Sequence, residues 1–141
     1  MLGKQIKWTI YILIVILCVS CSVEKPPLEF APSPSIIEKA LTFKLEYEQE
    51  SLSRQLTQKK LNFTITEINI TKIEPIILFN LPTYHLEGNY KIKLSKNTRQ
   101  NTSVTNTFNL DLQRQSTGKT WRILLQSKEK NSVKYSSYLI Y

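Results

Sequence analysis

Thr83-Tyr84-His85-Leu86-Glu87-Gly88-Asn89-Tyr90-Lys91-Ile92-Lys93-Leu94 alternates without a break. Tyr84, Leu86, Gly88, Tyr90, Ile92 and Leu94 share one phase; Thr83, His85, Glu87, Asn89, Lys91 and Lys93 share the other. A period of two sends successive side chains to opposite faces, so this stretch predicts a strand with one buried and one wet face. Its neighbours extend the pattern. Past the polar turn Lys96 to Asn101, the residues Val104, Asn106, Phe108, Leu110 and Leu112 alternate again. Trp121, Ile123 and Leu125 follow the turn Gln115-Ser116-Thr117-Gly118, and Val133 to Tyr141 closes the chain with Tyr135, Tyr138, Leu139, Ile140 and Tyr141. Upstream, Leu61, Phe63 and Ile65 alternate before the phase slips to Ile68 and Ile70, as a β-bulge or bend produces. Glu74-Pro75 reads as the end of that strand, because proline cannot donate to a ladder.

Between the prolines lies Ile76-Ile77-Leu78-Phe79-Asn80-Leu81-Pro82, apolar and without alternation. It reads as a buried edge strand or a closing loop. If exposed, its Ile77 and Phe79 form a greasy patch of the kind that marks an interaction site.

Ahead of the strands, Ser35 to about Lys60 reads as the one helix. Ser35 and Glu38 have the spacing of a capping box. Ile37, Leu41, Leu45, Leu52 and Leu56 recur at helical spacing, widened by Ile36, Ala40, Phe43 and Tyr47. That stripe predicts a broad buried face. One helix followed by four to five meandering antiparallel strands is an α+β layout, with the helix laid on a curved sheet. The domain so defined is 35–141.

The element order, with the strand Gly118-Lys119-Thr120-Trp121-Arg122-Ile123, resembles the cystatin-like cone fold that includes the nuclear-transport-factor-2-like proteins. The resemblance spans about Ser35 to Leu125 and rests on order rather than on a motif. It implies a pocket between helix and sheet, and no chemistry by itself.

The N-terminus gives an address. Lys4 and Lys7 precede an apolar run from Trp8 to Leu17, followed by Cys18-Val19-Ser20-Cys21. A charged start, an apolar region of about 7–15 residues and a small-residue cleavage site make a secretory signal. Leu17-Cys18-Val19-Ser20-Cys21 resembles the lipobox of bacterial lipoproteins, with Val19, Ser20 and Cys21 at positions −2, −1 and +1 and Cys18 at −3, where Leu is usual. The resemblance implies cleavage of 1–20 and a diacylglycerol on the Cys21 thiol. It therefore implies membrane attachment through that lipid, at the cell membrane or outer membrane, with the domain facing the periplasm or exterior. An uncleaved anchor and plain secretion are the alternatives, and both also put the domain outside the cytoplasm. Ser22 after the cysteine is compatible with outer-membrane sorting.

Residues 21–34 read as the lipidated cysteine and a Pro-rich tether. Pro26, Pro27, Pro32 and Pro34 favour extended geometry, and at about 3.1 Å per residue the thirteen residues Ser22 to Pro34 span up to about 40 Å.

The chain has 19 basic and 11 acidic residues; without Lys4 and Lys7 the balance is 17 − 11, or +6. The bases are scattered, and an extracytoplasmic address excludes nucleic acid as the partner. Beyond Cys21 there is no cysteine, which removes disulfides and cysteine-based zinc or thiol chemistry from the domain. Three glycines make no phosphate-cradling loop. His85 stands alone beside Glu87 on the wet phase and reads as a solvated surface histidine. Asp111, the only aspartate, also falls on a wet phase. No metal or cofactor site and no catalytic group is expected. Tyr84, Tyr90, Phe108 and Trp121 share inward phases, where they fill the core or line a ligand pocket. Two functions follow as expectations: a non-catalytic interaction or assembly module tethered in the cell envelope, acting on another envelope protein; or a binder of a small apolar or anionic ligand.

Overall fold

A computed structural model describes residues 24–56, 62–95, 102–129 and 132–141. The signal segment 1–20, Cys21, the expected helix end at 57–60 and the turn 96–101 lie outside the described residues.

A single-turn 3-10 helix (Leu28–Phe30) leads into α1 (Pro34–Leu56). Five strands follow: β1 (Asn62–Leu78), β2 (Leu81–Ser95), β3 (Thr102–Arg114), β4 (Trp121–Glu129) and β5 (Ser132–Ile140). They form one open antiparallel meander in the order β1-β2-β3-β4-β5, with α1 against one face. The α+β class read from the alternation is the class observed.

The helix starts two residues earlier than the capping box placed it. Ser33 is the residue before the first turn: its carbonyl accepts from the Ile36 and Ile37 N–H groups at 3.0 and 3.1 Å. Pro34 takes the first helical position, where its missing N–H costs nothing. Ser35 is therefore inside the helix, and its hydroxyl meets the Ser33 hydroxyl at 3.0 Å.

Ile37, Ala40 and Leu41 are fully buried, with Ile36, Phe43 and Leu45 packed beside them. The apolar stripe stops there: Tyr47 and Leu52 are exposed, against expectation. The register supplies the reason. β3 and β4 pair over only four positions, from Asp111↔Leu124 to Arg114↔Trp121. Beyond Leu124 the β4–β5 hairpin parts from β1–β3, so the continuous five-stranded floor lies under the first turns of α1 only.

β1 carries the expected register shift between Ile65 and Glu67 and a second between Ile70 and Lys72. It does not stop at Pro75. The strand runs on to Leu78 and turns at Phe79-Asn80 into β2. Leu78↔Leu81 closes a two-residue turn, so Pro75↔Tyr84 is three pairs away and non-hydrogen-bonded by alternation. The proline nitrogen then faces the open edge, where no donor is needed.

Residues 26–34 are not an extended leash. Pro26 and Pro32 are buried. The Tyr84 hydroxyl donates to the Pro27 carbonyl at 2.7 Å. The Arg114 guanidinium lies 4.8 Å from the centre of the Phe30 ring. Pro26, Pro32 and Ala31 dock this collar against the domain, while Leu28 and Phe30 stay exposed.

Candidate functional site

Alternation in β2 and β3 puts two sets of side chains on opposite faces. Facing α1, Tyr84, Tyr90, Phe108 and Trp121 are all buried in one cluster with Leu86, Leu110, Leu112 and Ile123. Tyr84 meets Trp121 at 5.9 Å and Tyr90 meets Phe108 at 6.2 Å between ring centres. Burial pushes the Tyr84 and Tyr90 hydroxyls above the usual phenol range. These four aromatics occupy the space in which the resemblance implied a pocket; they are core. Two open surface grooves, of about 480 and 320 Å³, flank α1 and involve none of the four.

The other face is less wet than its sequence reads. His85 and Asp111 are directly paired across β2 and β3. His85 Nδ1 lies 2.6 Å from Asp111 Oδ1, and Nε2 lies 3.2 Å from Glu87 Oε1. Gln126 Nε2 donates to Asp111 Oδ2 at 3.2 Å and to the Tyr135 hydroxyl at 3.1 Å, which links β3, β4 and β5. Lys72 joins from β1, 3.0 Å from Glu74 and 3.4 Å from Glu87. Asp111, Thr83, Gln113 and Leu124 are buried. The readings of His85 as a solvated histidine and Asp111 as a wet carboxylate are thus corrected.

The cause is the β1–β2 hairpin. Its tip curls over this back face: Gln113 Nε2 donates to the Leu78 carbonyl at 2.9 Å. Phe79 meets Tyr135 edge-on at 5.6 Å. First and last strands are thereby brought together across the back of the sheet. The Leu124-Leu125 and Leu139-Ile140 doublets, which break alternation, were the sequence signal for a second covered face.

The tip itself is unusual. Phe79 (φ 52°) and Asn80 (φ 61°) are both left-handed, as a type I′ turn requires. Asparagine is at home there; phenylalanine is not, and the conformation costs about 1–2 kcal/mol. Yet Phe79 remains 64% exposed and Ile77 42% exposed. Backbone strain of this kind gathers at functional positions.

Chemically, the His85 cluster favours the protonated imidazole. The Asp111 hydrogen bond raises the imidazole above its ordinary range, burial opposes this, and the Asp111 and Glu87 charges add to the rise. Both ring nitrogens face carboxylates, so no hydroxyl nucleophile is offered to the ring among the described residues. No group of three or more His, Cys, Asp or Glu arranged to hold a metal occurs among the described residues, and none of their helices is long and apolar enough to cross a membrane. No family model matches this chain, and no curated protein or solved structure gives a significant match to it.

Proposed function

We propose that this chain is a lipid-anchored extracytoplasmic module, held to the membrane through Cys21, that acts non-catalytically by engaging another envelope protein with its β1–β2 hairpin tip. The observation that carries the contact surface is Phe79, a large aromatic kept in a left-handed backbone conformation and left 64% exposed. Ile77 beside it extends the apolar surface. The helix–sheet interior, by contrast, is filled by the residues that a ligand pocket would have needed. The address rests on the lipobox resemblance at 17–21. Two acyl chains hold a protein stably where one is marginal, at about 0.8 kcal/mol per buried methylene.

Two measurements test this reading. Intact mass of the membrane-extracted protein should begin at Cys21 with added acyl mass, and Cys21→Ala should lose it. A photo-crosslinker at position 79, in cells, should then give one defined envelope adduct, with none from the same probe at exposed position 104. A wild type that retains Met1 without lipid ends the lipoprotein reading; equal labelling from 79 and 104 ends the hairpin reading.

A further inference from the structure

We propose that the domain does not float above the bilayer but rests on it by the collar end, with Leu28, Phe30 and Tyr141 seated in the interfacial layer of the lipid. This rests on the lipidation of Cys21 and adds an orientation to it.

Chain length argues first. Cys21 precedes the buried Pro26 by five residues, so at about 3.6 Å per residue the lipidated position lies within about 18 Å of the domain. A free leash through Pro34 would allow more than twice that. The Tyr84 hydroxyl holds the Pro27 carbonyl, which fixes where on the domain the chain departs.

The register says what surrounds that point. Tyr84 packs on Trp121, and Trp121 is paired with both Arg114 and Ile140. Arg114 covers the ring of Phe30. Tyr141 follows Ile140 directly and is 88% exposed, and Leu28 on the collar is 59% exposed. The end from which residues 21–25 leave the domain therefore carries exposed apolar and aromatic groups. Phenol and guanidinium tips over apolar bodies suit a surface that is greasy inside and wet outside. The collar segment carries Glu24, Lys25 and Glu29, and Arg114 lies over its Phe30. The charges nearly cancel, so seating should be apolar and largely indifferent to anionic lipid.

The test uses the mature lipoprotein with its own acyl chains, reconstituted in phosphatidylcholine vesicles. Because the domain has no other cysteine, Leu28→Cys, Tyr141→Cys and Leu52→Cys each give one free thiol for an environment-sensitive fluorophore. Leu52 is exposed on the far half of α1. Probes at 28 and 141 should shift to the blue and lose most of their emission to quencher-bearing lipids; the probe at 52 should do neither. Replacing a third of the lipid with phosphatidylglycerol should change this less than twofold. If all three probes stay aqueous while the protein floats with the vesicles, the orientation is overturned and the lipid anchor stands. If the protein does not float and its mass shows no acyl group, the anchor fails and the orientation with it.

Discussion

Gly88→Ala tests the fold at its tightest point. Gly88 lies on the core phase of β2, paired with Ile70 on one side and Phe108 on the other. A Cβ there would sit 2.9 Å from two carbons of the Phe108 ring and closer still to the Asn69 backbone carbonyl. Carbon atoms pack best at about 3.5–4.0 Å, so the ring would have to withdraw by roughly 0.6 Å or more. It has nowhere to go, being buried against Tyr90. The carbonyl belongs to the stretch of β1 between its two register shifts and moves only if the strand moves. Overpacking of this kind costs about 1–3 kcal/mol, and a backbone obstacle argues for the upper end. Alanine recovers about 0.4–1 kcal/mol by restricting the unfolded chain. The net is a loss of about 2 kcal/mol.

With an unfolding entropy of about 2.1 cal/mol/K per residue over a domain of roughly 120 residues, the midpoint should fall by about 8 °C. Thermal unfolding followed by circular dichroism reads this directly. Adding Phe108→Leu should return part of the loss, that owed to the ring and not that owed to the carbonyl. Alanine at an unconstrained strand glycine would raise Tm; a rise here, or no change, refutes the close approach of β1 and β2.

Three further outcomes follow from the same geometry. His85 has its folded pKa raised above about 6.5, so its contribution is fully present below that value and is lost as pH rises through the raised pKa. The gap in urea-unfolding free energy between wild type and His85→Gln should therefore be wider near pH 5.5 than near pH 8.5, by about 1 kcal/mol or less given the partial exposure of the ring; a gap that widens with pH refutes the pairing with Asp111. Tyr84→Phe removes the donor to the Pro27 carbonyl, which should cost about 1 kcal/mol and speed limited proteolysis at Lys25 and Glu29; an unchanged cleavage rate would mean the collar is held by something else. Leu112→Ala, at the fully buried centre of the core, should lower stability by about 2–5 kcal/mol in chemical denaturation, and a loss below about 1 kcal/mol would contradict a filled interior.

Legibility varied with how far each feature depends on distant parts of the chain. Alternation in β2 and β3 is a local property, so strand identity, the inward set Tyr84, Leu86, Tyr90, Phe108 and Leu110, and the α+β class could be read directly. The bulge after Ile65 was visible as a slip of phase. Pro75 misled, because whether a proline ends a strand depends on its being at an edge and on pairing parity, and both are set by the partner. Ser35 misled because Ser33-Pro34 offers the same start two residues earlier with a proline suited to the first turn. The exposure of Leu52 came from the parting of β3 and β4, which no local pattern records. The back face was the largest gap. His85 and Asp111 are 26 residues apart in sequence and meet only through the β2–β3 register.

That back face also decides between two uses of the C-terminal strand. Tyr135 and Tyr138 point to opposite sides of β5, which from sequence invites a partner or a second copy on each side. The structure supplies both covers from the chain itself. Tyr138 packs with Phe43 and Tyr47 of α1 at 5.2 and 5.3 Å, and Tyr135 with Phe79 of the hairpin tip. The β1 edge is poorly suited to strand addition, since two register shifts and Pro75 interrupt its line of donors and acceptors. With the faces of β5 covered and the β1 edge interrupted, two exposed apolar groups stand on different sides of the sheet: the collar, held through Tyr84 of the α1 face, and Phe79, which packs against Tyr135 on the back face. An anchored domain needs one side for the membrane and another for its partner. On the anchoring proposed through Cys21, the short reach turns the collar to the membrane and leaves Phe79 for the partner. A Phe79→Gly change should therefore relieve the left-handed strain and raise stability by up to about 1 kcal/mol after its cost in unfolded-chain entropy, while weakening binding of the partner that the position-79 crosslink identifies. A variant that is less stable than wild type would show that the Phe79–Tyr135 contact outweighs the strain, and that the tip is built for folding rather than for binding.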